Sequence, residues 1–263
     1  MIGSSTITSL IIAAIIGIVL PIGLVVVFTI KKKTKILPAF VGVGVFIVFS
    51  MILETFPEVI LFSGTNALSK LILSNGLLFA FFAALLAALF EEAGRFIAFK
   101  YVLKNYPEKE NSISYGLGHG GIEMVIVLGY TSISYLIAAS LLNNDQIGQM
   151  FAGMDYSAAE ISAYTSEMIT SISSINPSFV TISAIERLIA LLFHVSASVL
   201  VFTGVKNKDF RYVVYAFLLH LLMDFPVGLY QYDVIKSLIL VEALVGVVAA
   251  FTAYLAIRTY RKL

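Results

Sequence analysis

Long apolar stretches separated by short polar ones dominate the pattern of this 263-residue chain. A helix needs about 20 residues to cross roughly 30 Å of hydrocarbon, and several stretches reach that length. The pattern therefore predicts an all-α fold, a polytopic transmembrane helical bundle with about seven, and up to eight, spanning helices. The predicted spans are 7–30, 36–55, 71–103, 114–141, 179–205, 211–229 and 234–257.

The connection at 142–178 is the only sizeable predicted element outside the bilayer. Its apolar residues recur at helical spacing, which predicts an amphipathic helix on the outer surface, with a serine-rich loop as the alternative. No internal repeat or break in composition marks a second domain, so residues 1–263 are predicted to form a single integral membrane domain. The apolar positions of this connection are Ile147, Met150, Phe151, Met154, Ala158, Ile161, Thr165, Met168 and Ile172.

Composition supports the membrane assignment and limits the kinds of partner that the protein is expected to bind. Apolar residues make up 59% of the chain and charged residues 13%, and the mean hydropathy is +0.97. A net charge of +1 offers no basic face for nucleic acid, so the expected partners are the lipid bilayer and membrane-embedded or membrane-proximal proteins and peptides. The absence of cysteine excludes disulfides, thiolate metal ligands and a cysteine nucleophile.

Lysine and arginine collect on one predicted side of the membrane. They occur in KKKTK at 31–35, in 104–109, in 206–211 and at the C-terminus, whereas 142–178 has neither. The positive-inside rule then places the N-terminus outside and the C-terminus in the cytoplasm of a multi-pass plasma-membrane protein. The first span, which no basic residue precedes, is interpreted as a retained helix and not as a signal peptide.

Polar residues inside the spans fall within one band of depth. At about 1.5 Å per helical residue, Glu91, Glu92, His194 and His220 lie roughly 13 to 20 Å from the cytoplasmic end of their helices, and His119 lies roughly 8 to 10 Å deep. Ionisable residues in hydrocarbon are costly and normally turn inward and pair. The simplest interpretation is a shared polar cavity that opens toward the cytoplasmic half and contains every histidine of the chain.

The spacing of these residues supports a common site. His119 and Glu123 are four residues apart and share a helical face, and so do His220 and Asp224 in the next motif. Arg95 can reach Glu91 or Glu92 but not both equally, because adjacent residues diverge by about 100° around a helix. One glutamate is then paired with the guanidinium while the other faces the cavity, as general acid–base chemistry requires. The glycines of YGLGHGG at 115–121 allow a neighbouring backbone or a substrate to approach His119.

Other buried-looking charges receive structural interpretations. Glu186 and Arg187, nearer the outer face, form a supporting pair or a structural lock. Glu54, near the outer end of its helix, and Glu242, in the last span, are assigned solvated or structural roles.

An ordered set of four motifs carries a family resemblance. EEAGR at 91–95, HGGIE at 119–123, the histidine that ends ERLIALLFH and HLLMD at 220–224 resemble the motifs of intramembrane proteases. That group includes the CAAX prenyl-protein endopeptidases, bacteriocin-processing enzymes and PrsW-like proteases, and the arrangement looks most like the bacterial YhfC family. The resemblance covers roughly residues 75–230. The prenyl endopeptidases differ in having EExxxR, phenylalanine where this chain has His119, histidine where it has Glu123, and HxxxN.

The resemblance implies peptide-bond hydrolysis by water that glutamate and histidine activate. General chemistry agrees, since Glu91 or Glu92 can take the proton from water while histidine and the HxxxD pair donate to the developing oxyanion. The implied catalytic residues are Glu91, Glu92, His119, Glu123, His194, His220 and Asp224, with Arg95, Glu186 and Arg187 in support.

The metal requirement stays open on sequence grounds. Zinc held by His119, His194 and His220 with a carboxylate from Glu91, Glu92 or Glu123 is the alternative to a metal-free site. The metal-free route is preferred, because the chain has no HExxH motif and its histidines come from separate helices. A serine nucleophile at Ser196 or Ser198 is disfavoured, since no motif sets a serine against a base.

Two non-proteolytic functions are weighed as well. A proton-coupled transporter would also bury carboxylates and histidines, but no inverted repeat is found. A non-catalytic scaffold, similar to the scaffold subunit of gamma-secretase, is the other alternative.

Overall fold

The helices of the protein match the predicted apolar stretches. The computed structural model describes residues 2–144, 146, 151 and 153–263. These residues form helices and no strand, and seven helices are long and apolar enough to cross a membrane, which confirms an all-α, multi-pass membrane protein. The spanning helices are α1 (Ser4–Lys32), α2 (Leu37–Phe62), α4 (Gly76–Val102), α5 (Glu110–Asn143), α7 (Pro177–Asn207), α8 (Arg211–Gln231) and α9 (Leu238–Tyr260), and the shorter helices are α3 (Ala67–Leu73) and α6 (Ala158–Ser174).

One predicted boundary is wrong, because the stretch 71–103 is not a single helix. α3 ends at Leu73 and α4 begins at Gly76. Asn75 is extended at this break, and its Oδ1 accepts hydrogen bonds from the backbone amides of Leu77 at 2.9 Å and Leu78 at 3.2 Å. These are amides that the first turn of a helix leaves without an intrahelical partner. The cap is a local signal that a count of apolar residues does not register.

Wider π-helical turns interrupt three of the spans within the described residues. They cover Phe46–Leu53 in α2, Ala98–Val102 in α4 and Val125–Tyr130 in α5. A π turn closes hydrogen bonds over five residues instead of four, so it shifts the faces on which the following side chains lie. In α2 it carries Ser50, which contacts the candidate site described below.

The chain divides into two compact units. The smaller unit contains the described residues up to Pro21 together with those of Met124–Arg187, and the larger contains Ile22–Glu123 and Leu188–Leu263. The division falls within α1, α5 and α7. The single-domain organisation stays a prediction, and each unit is described separately.

In the smaller unit, α6 occupies part of the 142–178 connection. Ser157 caps it, since its Oγ accepts from the backbone amide of Glu160. The Ser157 amide and hydroxyl donate in return to the Glu160 carboxylate and lower the pKa of that carboxyl. Ile172 is buried with Ala138 and Ala139 of α5, and Met168 packs against them. The predicted amphipathic helix therefore exists over Ala158–Ser174 but does not reach back to Met154, which is 54% exposed. The predicted positions Ile147 and Met150 lie outside the described residues.

The core of the larger unit is built from α4, α5, α7, α8 and α9. Its fully buried side chains include Tyr115, Phe193 and Val245, each with 1% exposure or less. α4 and α8 approach so closely that a Cβ added at Gly228 would lie 2.7 Å from the Cα of Ala80. This contact brings the carboxylates of α4 beside the histidine of α8.

Glycines on α5 let two neighbouring helices contact its backbone. A Cβ at Gly116 would lie 2.6 Å from the Cα of Val195 on α7, and one at Gly120 would lie 2.9 Å from the Cβ of His194. A Cβ at Gly118 would instead overlap the backbone carbonyl of Ala39 on α2. The predicted close approach at YGLGHGG is therefore by neighbouring helices, and it holds His119 between α2 and α7.

We expect Gly118→Ala to destabilise the protein, because the added methyl group must push α2 away from α5. Overpacking of this kind costs about 1–3 kcal/mol. Thermal unfolding in detergent measures the effect. The matched control is Gly44→Ala in α2, where an added Cβ meets nothing within 4 Å; equal melting temperatures for the two variants would contradict the proposed contact.

Candidate active site

The predicted site residues of four helices converge within the larger unit. α4 contributes Glu91, Glu92 and Arg95, and their neighbours on the other helices are the three histidines of the chain. All six side chains are buried, with exposures between 0% and 6%. The remaining members are partly exposed: Glu123 on α5, with a 14% exposed side chain, and Asp224 on α8, with 31%. The histidines are His119 on α5, His194 on α7 and His220 on α8.

Arg95 pairs with Glu92 and stands farther from Glu91. Its Nη1 donates to Glu92 Oε1 in a short, buried contact, whereas its Nη2 lies 4.0 Å from Glu91 Oε2. The unequal pairing predicted from helical geometry is therefore confirmed. Tyr115, one turn before His119, is also close to the guanidinium.

Glu91 is surrounded by imidazoles. Its Oε2 lies 2.8 Å from His119 Nε2, 3.6 Å from His194 Nδ1 and 3.9 Å from His220 Nε2. Three histidines from three helices therefore converge on a single carboxylate oxygen. Aromatic rings wall this cluster, with Phe46 edge-on to His119 at 5.3 Å between ring centroids.

The contacts of His194 determine its tautomer. Arg95 Nη2 lies 3.1 Å from His194 Nδ1, and a guanidinium can only donate, so Nδ1 accepts. The hydrogen of the neutral ring is then on Nε2, which lies 2.6 Å from Glu123 Oε2. Arg95 and Glu123 thus fix the ring of His194 from both ends.

His220 lies between two carboxylates. Its Nδ1 is 2.9 Å from Glu92 Oε1, and its Nε2 is 3.3 Å from Asp224 Oδ2. Glu92 Oε1 also accepts from Arg95 of its own helix, so that one oxygen links the guanidinium of α4 to the imidazole of α8. The other oxygen, Glu92 Oε2, is buried and has no hydrogen-bond partner among the described residues.

α2 supplies two residues that the sequence did not assign to the site. Ser50 Oγ lies 3.2 Å from Glu54 Oε2 and 3.5 Å from Glu91 Oε1, and Glu54 is only 6% exposed. Of the two roles predicted for Glu54, solvated or structural, the solvated one is wrong, because the carboxyl group is buried next to the cluster. The four-residue spacing of Ser50 and Glu54 is the only sequence signal for this contact, and it is a weak one.

The remaining predicted residues are Glu186, Arg187 and Glu242. Arg187 pairs with Glu186 in the smaller unit, where both line a cavity of about 270 Å³ with Tyr135. This pair keeps its structural interpretation. Glu242 is half-buried on α9, which contributes none of the side chains described above.

The two serines near His194 are engaged with the helix backbone. Ser196 Oγ donates to the Leu192 carbonyl at 2.7 Å, and Ser198 Oγ donates to the His194 carbonyl at 2.6 Å. Neither hydroxyl is set against a base, which agrees with the rejection of a serine nucleophile.

An apolar groove reaches the cluster at Glu92. It has a volume of about 340 Å³ between α4 and α8, and its other described lining residues are apolar, including Leu89, Phe96 and Phe217. Leu89 is 49% exposed, so the groove communicates with the surface of the span. Glu92 thus connects the buried polar cluster to this surface.

Three of the side chains fit a metal ion. Glu91, His119 and His194 each offer a ligand atom, and these atoms all lie within 4.8 Å of one another. Two imidazoles and a carboxylate form a donor set found in catalytic zinc sites, where an open position is left for water. The 2.8 and 3.6 Å separations from Glu91 Oε2 bracket the roughly 3.3 Å expected between tetrahedral ligands about 2.05 Å from zinc.

Comparison with known families agrees with this donor set. Residues 16–245 match the sequence profile of the family described as YhfC intramembrane metalloprotease. The chain belongs to the YhfC family. It is 29% identical over 262 residues to the uncharacterized membrane protein YhfC of Bacillus subtilis (strain 168), an alignment that covers 99% of each chain. No solved structure matches the chain. The YhfC resemblance drawn from the four motifs is confirmed.

We expect Arg95→Met to destabilise this YhfC protein strongly, because it leaves Glu92 buried without its guanidinium partner. Removal of one partner of a buried pair costs about 3–5 kcal/mol. Arg211→Met is the matched control, since the side chain of Arg211 is 78% exposed and water screens its pair with Asp209.

Thermal unfolding in detergent compares these variants. The double variant Arg95→Met with Glu92→Gln should recover part of the loss, because it no longer buries an unpaired charge. If Arg95→Met were no more destabilising than Arg211→Met, the guanidinium would not hold the cluster together.

Proposed function

We propose that this protein is a zinc-dependent intramembrane endopeptidase whose metal is held by Glu91, His119 and His194. The convergence of these three ligand atoms within 4.8 Å carries the proposal, and the description of the family as metalloproteases supports it. The proposal departs from the metal-free route favoured on sequence grounds. The structural reason is that ligands from three separate helices come together without an HExxH motif.

The balance of buried charge supports a metal. Glu54, Glu91 and Glu92 are buried near the single guanidinium of Arg95. One positive charge cannot offset three carboxylates in a medium of low polarity. A divalent cation together with Arg95 would offset all three, and protons on the carboxyl groups or on the neighbouring histidines are the alternative.

When bound, zinc lowers the pKa of its water and polarises a carbonyl oxygen. Glu92 is the proposed general base. Its Oε1 is fixed by Arg95 and His220, which leaves the unpartnered Oε2 to accept a proton from the attacking water. His220, held between Glu92 and Asp224, is placed to donate a proton to the departing amine.

The substrate is proposed to be a membrane-embedded or membrane-proximal protein or peptide. The apolar groove that ends at Glu92 gives such a segment a route to the base from the hydrocarbon side of α4 and α8. The proposed orientation places the basic segments and the C-terminus in the cytoplasm and the N-terminus outside the plasma membrane. The catalytic cluster then lies in the cytoplasmic half of the bilayer.

A metal-free glutamate mechanism is the second candidate, and one contact favours it. The Nδ1 lone pair of His194 accepts Arg95 at 3.1 Å, and the same lone pair cannot also bind a metal. In this alternative Arg95 keeps its place, and Glu91 or Glu92 activates water with histidine assistance. Metal content therefore separates the two candidates.

We expect the purified protein to contain about one zinc per chain and His119→Ala to lose it, because His119 supplies one of only three protein ligands. Elemental analysis of detergent-purified protein measures this without a known substrate. Glu167→Gln on the exposed face of α6 is the control and should keep the metal. If the wild-type protein contained one zinc per chain and His119→Ala contained as much, the metal would have to bind elsewhere.

We expect Glu92→Gln to keep the metal and lose turnover by roughly 10² to 10⁴, which is typical of losing a general base. The assay follows cleavage of a panel of fluorescently tagged single-span membrane proteins in detergent micelles. Chelation should abolish cleavage, and zinc should restore it. Cleavage that survives exhaustive chelation in protein shown to be metal-free would support the glutamate mechanism instead.

A further inference from the structure

A second groove lies in the larger unit, among α7, α8 and α9. Its volume is about 540 Å³, and it shares no lining residue with the groove that reaches Glu92. One wall is a stripe on the last turns of α9, where Phe251, Leu255 and Arg258 follow one another at helical spacing, with Lys262 just beyond the helix end. The groove is therefore apolar in its inner part and cationic at one end.

The opposite wall comes from α8 and has the same polarity. Tyr212 and Tyr215 stand near the start of α8, and Leu218 and Leu219 lie deeper along it. α8 begins near the end at which α9 terminates, so the tyrosines and the cations meet at one end of the groove. Tyrosine is enriched where a membrane helix meets the headgroups.

The charge at that end is uncompensated within the groove. Arg258 and Lys262 line it, and the part of the chain that the structure describes contributes no carboxylate to the lining. Arg258 Nη1 also donates to Tyr254 Oη at 3.0 Å, which holds the arginine at the rim. Two cations at the mouth of an apolar groove complement a phosphate that is attached to a hydrocarbon chain.

The length of the groove matches one leaflet. From Phe251 to Lys262 the helix rise is about 16 Å, close to half of a hydrocarbon core roughly 30 Å thick. A single acyl chain whose phosphate lies at Lys262 would therefore end near Phe251. A peptide partner would need no such fixed depth.

We propose that this groove is a binding site for an anionic phospholipid. The phosphodiester lies between Arg258 and Lys262, and an acyl chain lies along Leu219, Leu255 and Phe251. The site is independent of the proposed proteolysis, since none of its residues belongs to the catalytic cluster.

Native mass spectrometry of the full-length protein in detergent tests the site, with phosphatidylglycerol and phosphatidylcholine of equal chain length as probes. We expect each chain to retain one phosphatidylglycerol molecule tightly and to bind phosphatidylcholine more weakly. Arg258→Gln and Lys262→Gln should each weaken the binding of phosphatidylglycerol about fivefold, and the double variant should weaken it about 30-fold. The reason is that each lysine or arginine near an anionic lipid contributes about 1 kcal/mol.

The matched control removes the same charge elsewhere. The double variant Lys104→Gln with Lys208→Gln changes two exposed lysines outside the groove and should bind phosphatidylglycerol as wild type does. If both double variants weakened phosphatidylglycerol binding equally, the effect would come from general surface charge, and the proposed site would be wrong. Two results for the wild-type protein alone would also contradict the proposed site. They are equal retention of both lipids and occupation of the groove by a second copy of the chain.

Discussion

The structure of the larger unit depends on the burial of Arg95. This guanidinium is fully buried in a spanning helix, where an isolated charge is costly, and it persists because Glu92, Glu91 and His194 surround it. The surrounding helices must approach closely to bring those partners within reach. The glycines of α5 and Gly228 of α8 permit that approach, so backbone packing and charge pairing require each other.

Much of this arrangement was predictable from the sequence, for identifiable reasons. The seven spans follow from length and hydropathy, and the convergence of Glu91, Glu92 and the histidines follows from the cost of ionisable groups in hydrocarbon. Helical spacing also prevents Arg95 from pairing equally with both of its glutamates. The further contact of Glu92 with His220 of α8 joins two helices, and no local pattern encodes it.

Other features were outside the reach of sequence reasoning. Glu54 lies beside the cluster because a π turn in α2 carries Ser50 toward Glu91. The sequence of that turn is apolar and gives no sign that the helical period changes there. The tautomer of His194 follows from contacts with two other helices. The three proposed metal ligands could be named from the sequence only within a larger set, because they are separated by tens of residues, whereas signatures such as HExxH require ligands on one helix.

In the proposed protease, the groove at Glu92 would limit how a polypeptide is presented to the site. Its walls, such as Phe96 and Phe217, have no groups that can hydrogen-bond a peptide backbone, and unsatisfied amides in hydrocarbon cost several kcal/mol each. A segment within the groove must therefore stay coiled, with its amides satisfied internally, until it meets polar side chains. Only the few residues that these side chains can solvate are able to unwind. If the proposed function is right, the small size of the polar cluster, and not the length of the groove, sets how much of a substrate helix unwinds and favours segments whose helices unwind easily.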